Sequence, residues 1–125
     1  MGSTIKPGLW RRGVLLLGVL ALAGCGGGSD EGSRYVVDGI RVKATVNKSE
    51  AYDIEINGGD CELTVAANNT VKRLLITGLS NKVMVEAGTQ IEVVDFTGGG
   101  NTVYVPKGFK TRIVNTGSDN KVVER

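Results

Sequence analysis

The chain of 125 residues contains no histidine and only two cysteines. Without an imidazole, neither a Ser-His-Asp triad nor a Cys-His pair can be assembled, because both use histidine as the general base. Helical periodicity is also lacking beyond the first 24 residues, where apolar residues do not recur every three or four positions. The sequence therefore offers neither of these hydrolase mechanisms, and the fold class that it predicts is all-β.

Residues 1–24 have the features of a lipoprotein signal peptide. A basic start comes first, formed by Lys6, Arg11 and Arg12. Residues 14–23 then form an apolar run that is too short to span a bilayer. The run ends in Leu22-Ala23-Gly24-Cys25, which resembles the lipobox at which the lipoprotein signal peptidase cuts. The resemblance implies cleavage between Gly24 and Cys25 and a diacylglycerol on the Cys25 sulfur.

The lipid predicted on Cys25 anchors the chain to a membrane, since two acyl chains hold a protein stably where one holds it only marginally. Gly26, rather than an aspartate, follows the cysteine. By resemblance to lipoprotein sorting in Gram-negative bacteria, this favours the outer membrane, facing the periplasm. Arg11-Arg12 also resembles a twin-arginine signal, so the sequence leaves the export route open. An ordinary secretory signal or a buried core helix is the alternative interpretation of residues 1–24.

Removing the leader changes the charge of the chain. Three of the 15 basic residues and none of the 13 acidic ones lie in residues 1–24. The rest of the chain therefore has 12 basic and 13 acidic residues and a net charge of −1. The basic isoelectric point therefore gives no support for a nucleic-acid partner. With Cys25 lipidated, Cys61 has no disulfide partner and is predicted to be an inert buried thiol. A reactive thiol or an intermolecular disulfide is the alternative.

Two segments follow the leader. Residues 25–33 are rich in glycine and serine and are predicted to be a flexible tether with a reach of about 15 Å. Residues 34–125 are predicted to be the folded domain, in which a repeat of about 20 residues becomes clear from Asp53 onward. Its anchor positions are spaced 20, 20 and 19 residues apart and are occupied by Cys61, Asn81, Asn101 and Asn120. A glycine stands three residues before each anchor, at Gly58, Gly78, Gly98 and Gly117.

Apolar residues alternate with polar ones on both sides of each glycine, as in Leu63 and Val65. Period-two alternation of β-branched residues indicates strands with one buried face. The sequence therefore predicts a small parallel β-solenoid of about four coils, with residues 34–52 as an N-terminal cap that is out of phase with the repeat. The alternative is a β-sandwich whose hairpins are evenly spaced.

Each column of the repeat has a predicted structural role. If the coils stack about 4.8 Å apart, the anchor asparagines can form a hydrogen-bonded ladder that begins at Cys61. Glycine tolerates left-handed backbone, so each coil is predicted to turn at its glycine. A second turn is predicted by the same reasoning at Asn68, Gly88 and Gly108.

The Gly-x-x-Asn-x-Val-x-Val repeats behind a lipobox resemble a bacterial family known as a domain of unknown function, numbered 3060. Residues 78–85 and 98–105 carry the match best, with 117–122 next, and the resemblance covers roughly residues 54–123. The first unit departs from the pattern, because Cys61 stands where asparagine is expected. The resemblance implies a β-solenoid and an envelope location, and it supplies no catalytic residues.

Candidate sites lie on the outward positions of the strands. One column of such positions forms an apolar stripe, a candidate partner-binding patch made of Thr64, Met84, Tyr104 and Val123. Ordinary cross-strand pairing is the alternative interpretation of the stripe. On the other sheet, Glu55 and Asp95 are predicted to lie about 10 Å apart on one face, close to the limit for an inverting glycosidase. Calcium-binding turns need an aspartate at the same position of every repeat. Asp60 and Asp119 occupy matching turn positions, but Ser80 and Gly100 stand between them, so no metal and no cofactor are expected.

The resulting functional expectation is a membrane-anchored envelope lipoprotein whose β-solenoid is a non-catalytic structural or interaction module. The alternative is a glycan-binding or glycan-cleaving module that uses Glu55, Asp95 and Arg73. The expected partners are the membrane, through the lipid on Cys25, and an envelope protein or a glycan. Weak self-association through the C-terminal coil is expected as well, because terminal strands of a solenoid present unpaired backbone groups.

Overall fold

The computed structural model describes residues 28–125, which form eleven strands and no helix. The predicted signal peptide, its cleavage site and Cys25 lie outside the described residues. The strands are β1 (Gly28–Asp30), β2 (Arg34–Val37), β3 (Lys43–Val46), β4 (Tyr52–Ile56), β5 (Glu62–Val65), β6 (Thr70–Ile76), β7 (Lys82–Val85), β8 (Gln90–Phe96), β9 (Thr102–Val105), β10 (Arg112–Asn115) and β11 (Lys121–Glu124).

The strands form two sheets, and the chain passes from one sheet to the other within every coil of a β-solenoid. All neighbouring strands are parallel except β1 and β2. One sheet has the order β1-β2-β4-β6-β8-β10, and the other has the order β3-β5-β7-β9-β11. Each strand pairs with the strand one coil away, so that Val83 lies beside Leu63 on one side and Val103 on the other. The prediction of an all-β solenoid with a repeat of about 20 residues is confirmed.

The solenoid has five coils rather than about four, because residues 34–52 are in register with the repeat. Arg34 pairs with Asp53, and Lys43 pairs with Glu62. The expectation of an out-of-phase cap is therefore corrected. Val42 takes the anchor position of this first coil, since the backbone N–H of Glu62 donates to its carbonyl as that of Lys82 donates to the carbonyl of Cys61.

The described part of the expected tether is ordered as a strand. β1 pairs antiparallel with β2, with Ser29 opposite Val36. The ammonium group of Lys48 donates to both carboxylate oxygens of Asp30, at 2.8 and 2.9 Å, and holds the strand against the first coil. Because this ion pair favours the charged carboxylate, it lowers the pKa of Asp30. Residues 28–30 thus cover the edge of β2, where a flexible coil was expected.

The core is one continuous cluster of inward-facing residues that runs the length of the solenoid. Leu63, Val83 and Val103 are stacked in it and are fully buried. Burial of an aliphatic side chain of this size stabilises a fold by about 1.5–3 kcal/mol. The burial weakens in the last coil, where Ile113 is 52% exposed.

The turns use the glycine column differently from the prediction. The left-handed conformation lies two residues after each of these glycines, at Asp60, Ser80, Gly100 and Asp119. Glycine is needed for space instead, because a Cβ on Gly78 would lie 1.8 Å from the carbonyl oxygen of Gly58 in the preceding coil. In the second turn, Asn68, Gly88 and Gly108 do have positive φ, as expected.

Candidate functional site

The anchor residues form a hydrogen-bonded ladder inside the solenoid. The backbone N–H of Asn81 donates to Oδ1 of Asn101 at 2.9 Å, and that of Asn101 donates to Oδ1 of Asn120 at 3.0 Å. The side-chain amide of Asn101 donates to the carbonyl of Gly78 at 3.0 Å. The asparagine thus bonds the same carbonyl oxygen that leaves no room for a Cβ on Gly98. The Gly-x-x-Asn pattern is one structural unit, and its polar groups are occupied within the fold.

Cys61 begins the ladder as a buried thiol that is 1% exposed. Its backbone N–H donates to Oδ1 of Asn81 at 2.9 Å, as an asparagine at this position does. Its Sγ lies 3.4 Å from the carbonyl oxygen of Gly39 and 3.5 Å from that of Gly59. In the coils that have an asparagine at this position, its side-chain amide donates a hydrogen bond to the equivalent carbonyl. A thiol is a weak donor, so the contacts of Cys61 are weaker than that hydrogen bond.

A second polar ladder, which the sequence analysis missed, lies at the opposite turn. Asn69 and Thr89 are buried there, and the backbone N–H of Asn69 donates to the Thr89 hydroxyl at 3.1 Å. The Thr89 hydroxyl donates to the carbonyl of Ala66 at 2.6 Å. The Tyr52 hydroxyl donates to Oδ1 of Asn69 at 2.7 Å, and burial raises the pKa of Tyr52 to about 12. In the sequence, this ladder is marked only by a polar residue eight positions after Cys61 and after Asn81. The pattern is hard to recognise because the residue is an asparagine in one coil and a threonine in the next.

The candidate partner-binding stripe is a continuous row across one sheet. Thr64 pairs with Met84, Met84 with Tyr104, and Tyr104 with Val123. These four side chains are half-buried on the outer face. The neighbouring outward column consists of Lys43, Glu62, Lys82, Thr102 and Lys121. The surface is therefore an apolar row bordered by a column in which three of the five residues are lysines, and Lys43, Glu62 and Lys82 of that column line a shallow cavity of about 340 Å³.

The residues of the alternative glycan site lie on the other sheet. Glu55 and Asp95 are in one outward column and are separated by Leu75. Arg73 forms an ion pair with Asp95, which is 8% exposed, and Arg34 donates to Glu55 at 3.1 Å. Each carboxylate is thus bound by a guanidinium group. A groove of about 610 Å³ lies along a third side of the solenoid between Lys72, Glu92 and Lys110, and neither carboxylate lines it.

The acidic residues of the turns are not brought together. Asp60 and Asp119 are three coils apart along one column, with Ser80 and Gly100 between them. Within residues 28–125, no group of three or more acidic or cysteine side chains is placed to hold a metal ion. No helix in this part of the chain is long and apolar enough to cross a membrane.

Comparison of the chain with protein-family models, with curated proteins and with solved structures found no match.

Proposed function

We propose that the chain is a lipoprotein anchored through Cys25 to the bacterial cell envelope, with a β-solenoid that serves as a non-catalytic structural or interaction module. The observation that carries the proposal is Leu22-Ala23-Gly24-Cys25, placed after a basic start and a short apolar run. The proposal includes membership of the repeat family that the sequence resembles. Gly26 after the cysteine favours the outer membrane, facing the periplasm, if the cell is Gram-negative.

The start of β1 sets the distance between the proposed anchor and the folded domain. Only Gly26 and Gly27 separate Cys25 from the first strand residue, Gly28. Three extended residues span at most about 11 Å. A lipid on Cys25 would therefore hold the first coil directly against the membrane surface.

A non-catalytic role is supported by the occupancy of the polar groups. The side chains of the asparagine ladder form their hydrogen bonds with one another and with backbone carbonyls inside the fold. The carboxylates of Glu55 and Asp95 are paired with arginines. The outward residues that remain for a partner include the stripe of Thr64, Met84, Tyr104 and Val123. An apolar row bordered by Lys82 and Lys121 suits a protein surface that is itself apolar with an acidic rim.

The C-terminal coil is a second part of the interaction proposal. Ile113 is 52% exposed, and β10 and β11 are the last strands of their sheets among the described residues. Strand edges of this kind associate when nothing covers them. Val123 of the stripe lies in this coil, and weak self-association there would leave Thr64, Met84 and Tyr104 free for another partner.

Metabolic labelling with an alkyne analogue of palmitate tests the anchor. We expect label on the wild-type chain and on Cys61→Ser, which is the matched control, and none on Cys25→Ser. Equal label on the wild type and on Cys25→Ser would refute the lipoprotein proposal.

Photo-crosslinking in intact cells tests the stripe. A photoreactive amino acid at Tyr104 is expected to capture a protein, whereas one at Leu75, which is half-buried on the outer face of the other sheet and lies outside the last coil, is not. A product at Tyr104 that glycan hydrolases remove would instead support the glycan-binding alternative. Equal capture at both positions would mean that the stripe has no special role.

A further inference from the structure

One corner of the solenoid carries two of the three exposed large apolar residues of the described chain. Ile40 is 69% exposed and Leu79 is 64% exposed. Single parallel bridges connect a row of corner residues from coil to coil, in the order Ile40, Gly59, Leu79, Gly99 and Ser118. Neighbouring members of this row are therefore about 4.8 Å apart. The first four members alternate between a large side chain and none, and we call them the corner row.

The two glycines of the corner row are not required by the fold. Neither has a positive φ, so a side chain causes no backbone strain there. A Cβ on Gly59 would meet nothing closer than the carbonyl oxygen of Leu79 at 3.8 Å, and one on Gly99 nothing closer than 3.4 Å. Gly58, one residue earlier, has no such room, because its Cβ would lie 2.0 Å from the carbonyl oxygen of Gly39. The fold therefore tolerates a side chain at either glycine. The space above Gly59 is open to another molecule, and the space above Gly99 is bordered by the Leu79 side chain of the same chain, whose Cδ2 lies 3.5 Å from the Cβ position.

The corner row is complementary to itself when its direction is reversed. Ile40 of one copy then lies opposite Gly99 of the other, and Leu79 lies opposite Gly59, at both ends at once. A two-fold axis perpendicular to the solenoid axes produces this arrangement, and such an interface closes as a dimer. We infer that the corner row is a contact surface for a second copy of this chain, packed antiparallel with side chains in the glycine gaps.

The residues beside the row are compatible with the antiparallel direction. Arg41 and Asp60 follow Ile40 and Gly59 in the chain, and Ser80 and Gly100 follow Leu79 and Gly99. In the antiparallel dimer Arg41 faces Gly100, and Asp60 faces Ser80, whose hydroxyl can donate to the carboxylate. In a parallel dimer, with the two-fold axis along the solenoid, Ile40 would meet Ile40 and Leu79 would meet Leu79 instead of a gap. Because the row is short, the buried area is small and the association is weak.

Thiol crosslinking between two variants tests both the contact and its direction. Ile40→Cys and Gly99→Cys are made in the full chain with different tags, purified separately in a mild detergent and mixed. The antiparallel dimer places the two thiols opposite each other, whereas two copies of residue 40 are about 14 Å apart. A short bismaleimide is therefore expected to join the mixed pair and not Ile40→Cys alone. The wild-type chain, with its own Cys25 and Cys61, gives the background.

Filling a gap tests the shape argument without removing an apolar residue. Gly59→Leu is expected to weaken dimerisation by about tenfold or more in sedimentation experiments, because it blocks the seat of Leu79. Leu79→Ser is expected to do the same. Ile113→Ser tests the other proposed contact, at the last coil, and Leu75→Ser, at a half-buried position on the outer face of β6, is the control. Mixed-pair crosslinking at background level, or crosslinking of Ile40→Cys alone at the level of the mixture, overturns the inference. So does a loss of dimer with Ile113→Ser and not with Leu79→Ser, which would place the contact at the last coil.

Discussion

The guanidinium group of Arg125 donates from Nη2 to the carbonyl oxygen of Val85, at 3.2 Å and 40 residues away. In earlier coils the equivalent carbonyl accepts from backbone, as when Glu86 donates to Val65 at 3.0 Å. The residue that would donate to Val85 is Pro106, which has no N–H. Arg125 therefore reaches across one coil and supplies the donor that proline lacks.

A double-mutant cycle tests this compensation. Arg125→Ala is expected to lower the free energy of unfolding by about 1–3 kcal/mol, because it leaves the carbonyl of Val85 without a partner. In a Pro106→Ala background the backbone N–H restores the ladder, so the same substitution is expected to cost clearly less. Urea unfolding of the four chains measures the coupling. An equal cost in both backgrounds would show that Arg125 acts through its packing or through Glu86 instead.

Gly78 and Gly59, which occupy neighbouring columns of the repeat in different coils, distinguish a need for space from a need for a particular backbone conformation. Gly78→Ala places a Cβ 1.8 Å from the carbonyl oxygen of Gly58, so we expect a loss of about 1–3 kcal/mol or more as the coils are forced apart. Gly59→Ala meets nothing within 3.4 Å and is expected to be neutral or stabilising by up to about 1 kcal/mol. Thermal unfolding compares the two. Similar losses would mean that both glycines are needed for their backbone angles.

The repeat could be predicted from the sequence because its columns keep one residue type. Asn81 and Asn101 recur with their glycines, and the period-two pattern places the strands between them. The sequence pattern did not reveal that residues 34–52 form the first coil of the repeat. Val42 stands there in place of the anchor asparagine, so the polar residue that identifies the other coils is absent. The ladder of Asn69 and Thr89 was missed for a related reason, since an amide and a hydroxyl fill equivalent places.

Other features depend on contacts that no local pattern encodes. The segment of β1 is glycine, serine and aspartate, which have low strand propensity. It forms a strand because the edge of β2 offers backbone partners and because Lys48 binds Asp30. The pairing of Arg125 with the carbonyl of Val85 likewise depends on stacking of three coils. Both are tertiary effects, so a sequence pattern could not predict them.

The ladder itself can be tested at a central position. Asn101→Ala removes the acceptor of the Asn81 backbone N–H and the donor to the carbonyl of Gly78. The Asn81 N–H then has no acceptor, whereas the carbonyl of Gly78 still accepts from the backbone N–H of Gly99 at 3.2 Å. We therefore expect the free energy of unfolding to fall by about 1–3 kcal/mol. Asn57→Ala, an exposed residue that accepts one bond from Thr77, is the control and is expected to change it by about 0.5 kcal/mol or less. Equal effects at both sites would contradict a structural role for the ladder.

Adjacent residues of β9 test which face is inward. Val103→Asp buries a carboxylate in the core and is expected to cost several kcal/mol of unfolding free energy. Thr102 lies in the outward column between Lys82 and Lys121 and is 9% exposed. Thr102→Asp is therefore expected to cost clearly less than Val103→Asp, because the two ammonium groups offset part of the desolvation of the carboxylate, and to cost more at high salt. Melting temperatures at low and high ionic strength give the comparison. Equal shifts would mean that the inward and outward assignment is reversed or lost.

The buried Tyr52 predicts how stability changes at high pH. Burial raises the pKa of its hydroxyl to about 12 in the folded chain, against an ordinary value of 10.0. The unfolded chain therefore loses this proton first as the pH rises above 10, so the contribution of Tyr52 to stability is present below that pH and is lost between about 10 and 12. Tyr52→Phe removes both the titration and the hydrogen bond to Asn69, and the wild type is expected to be more stable below pH 10. Urea midpoints of the two proteins should then converge between pH 10 and 12. A difference that stays constant to pH 12 would show that the hydroxyl is not protected by the fold.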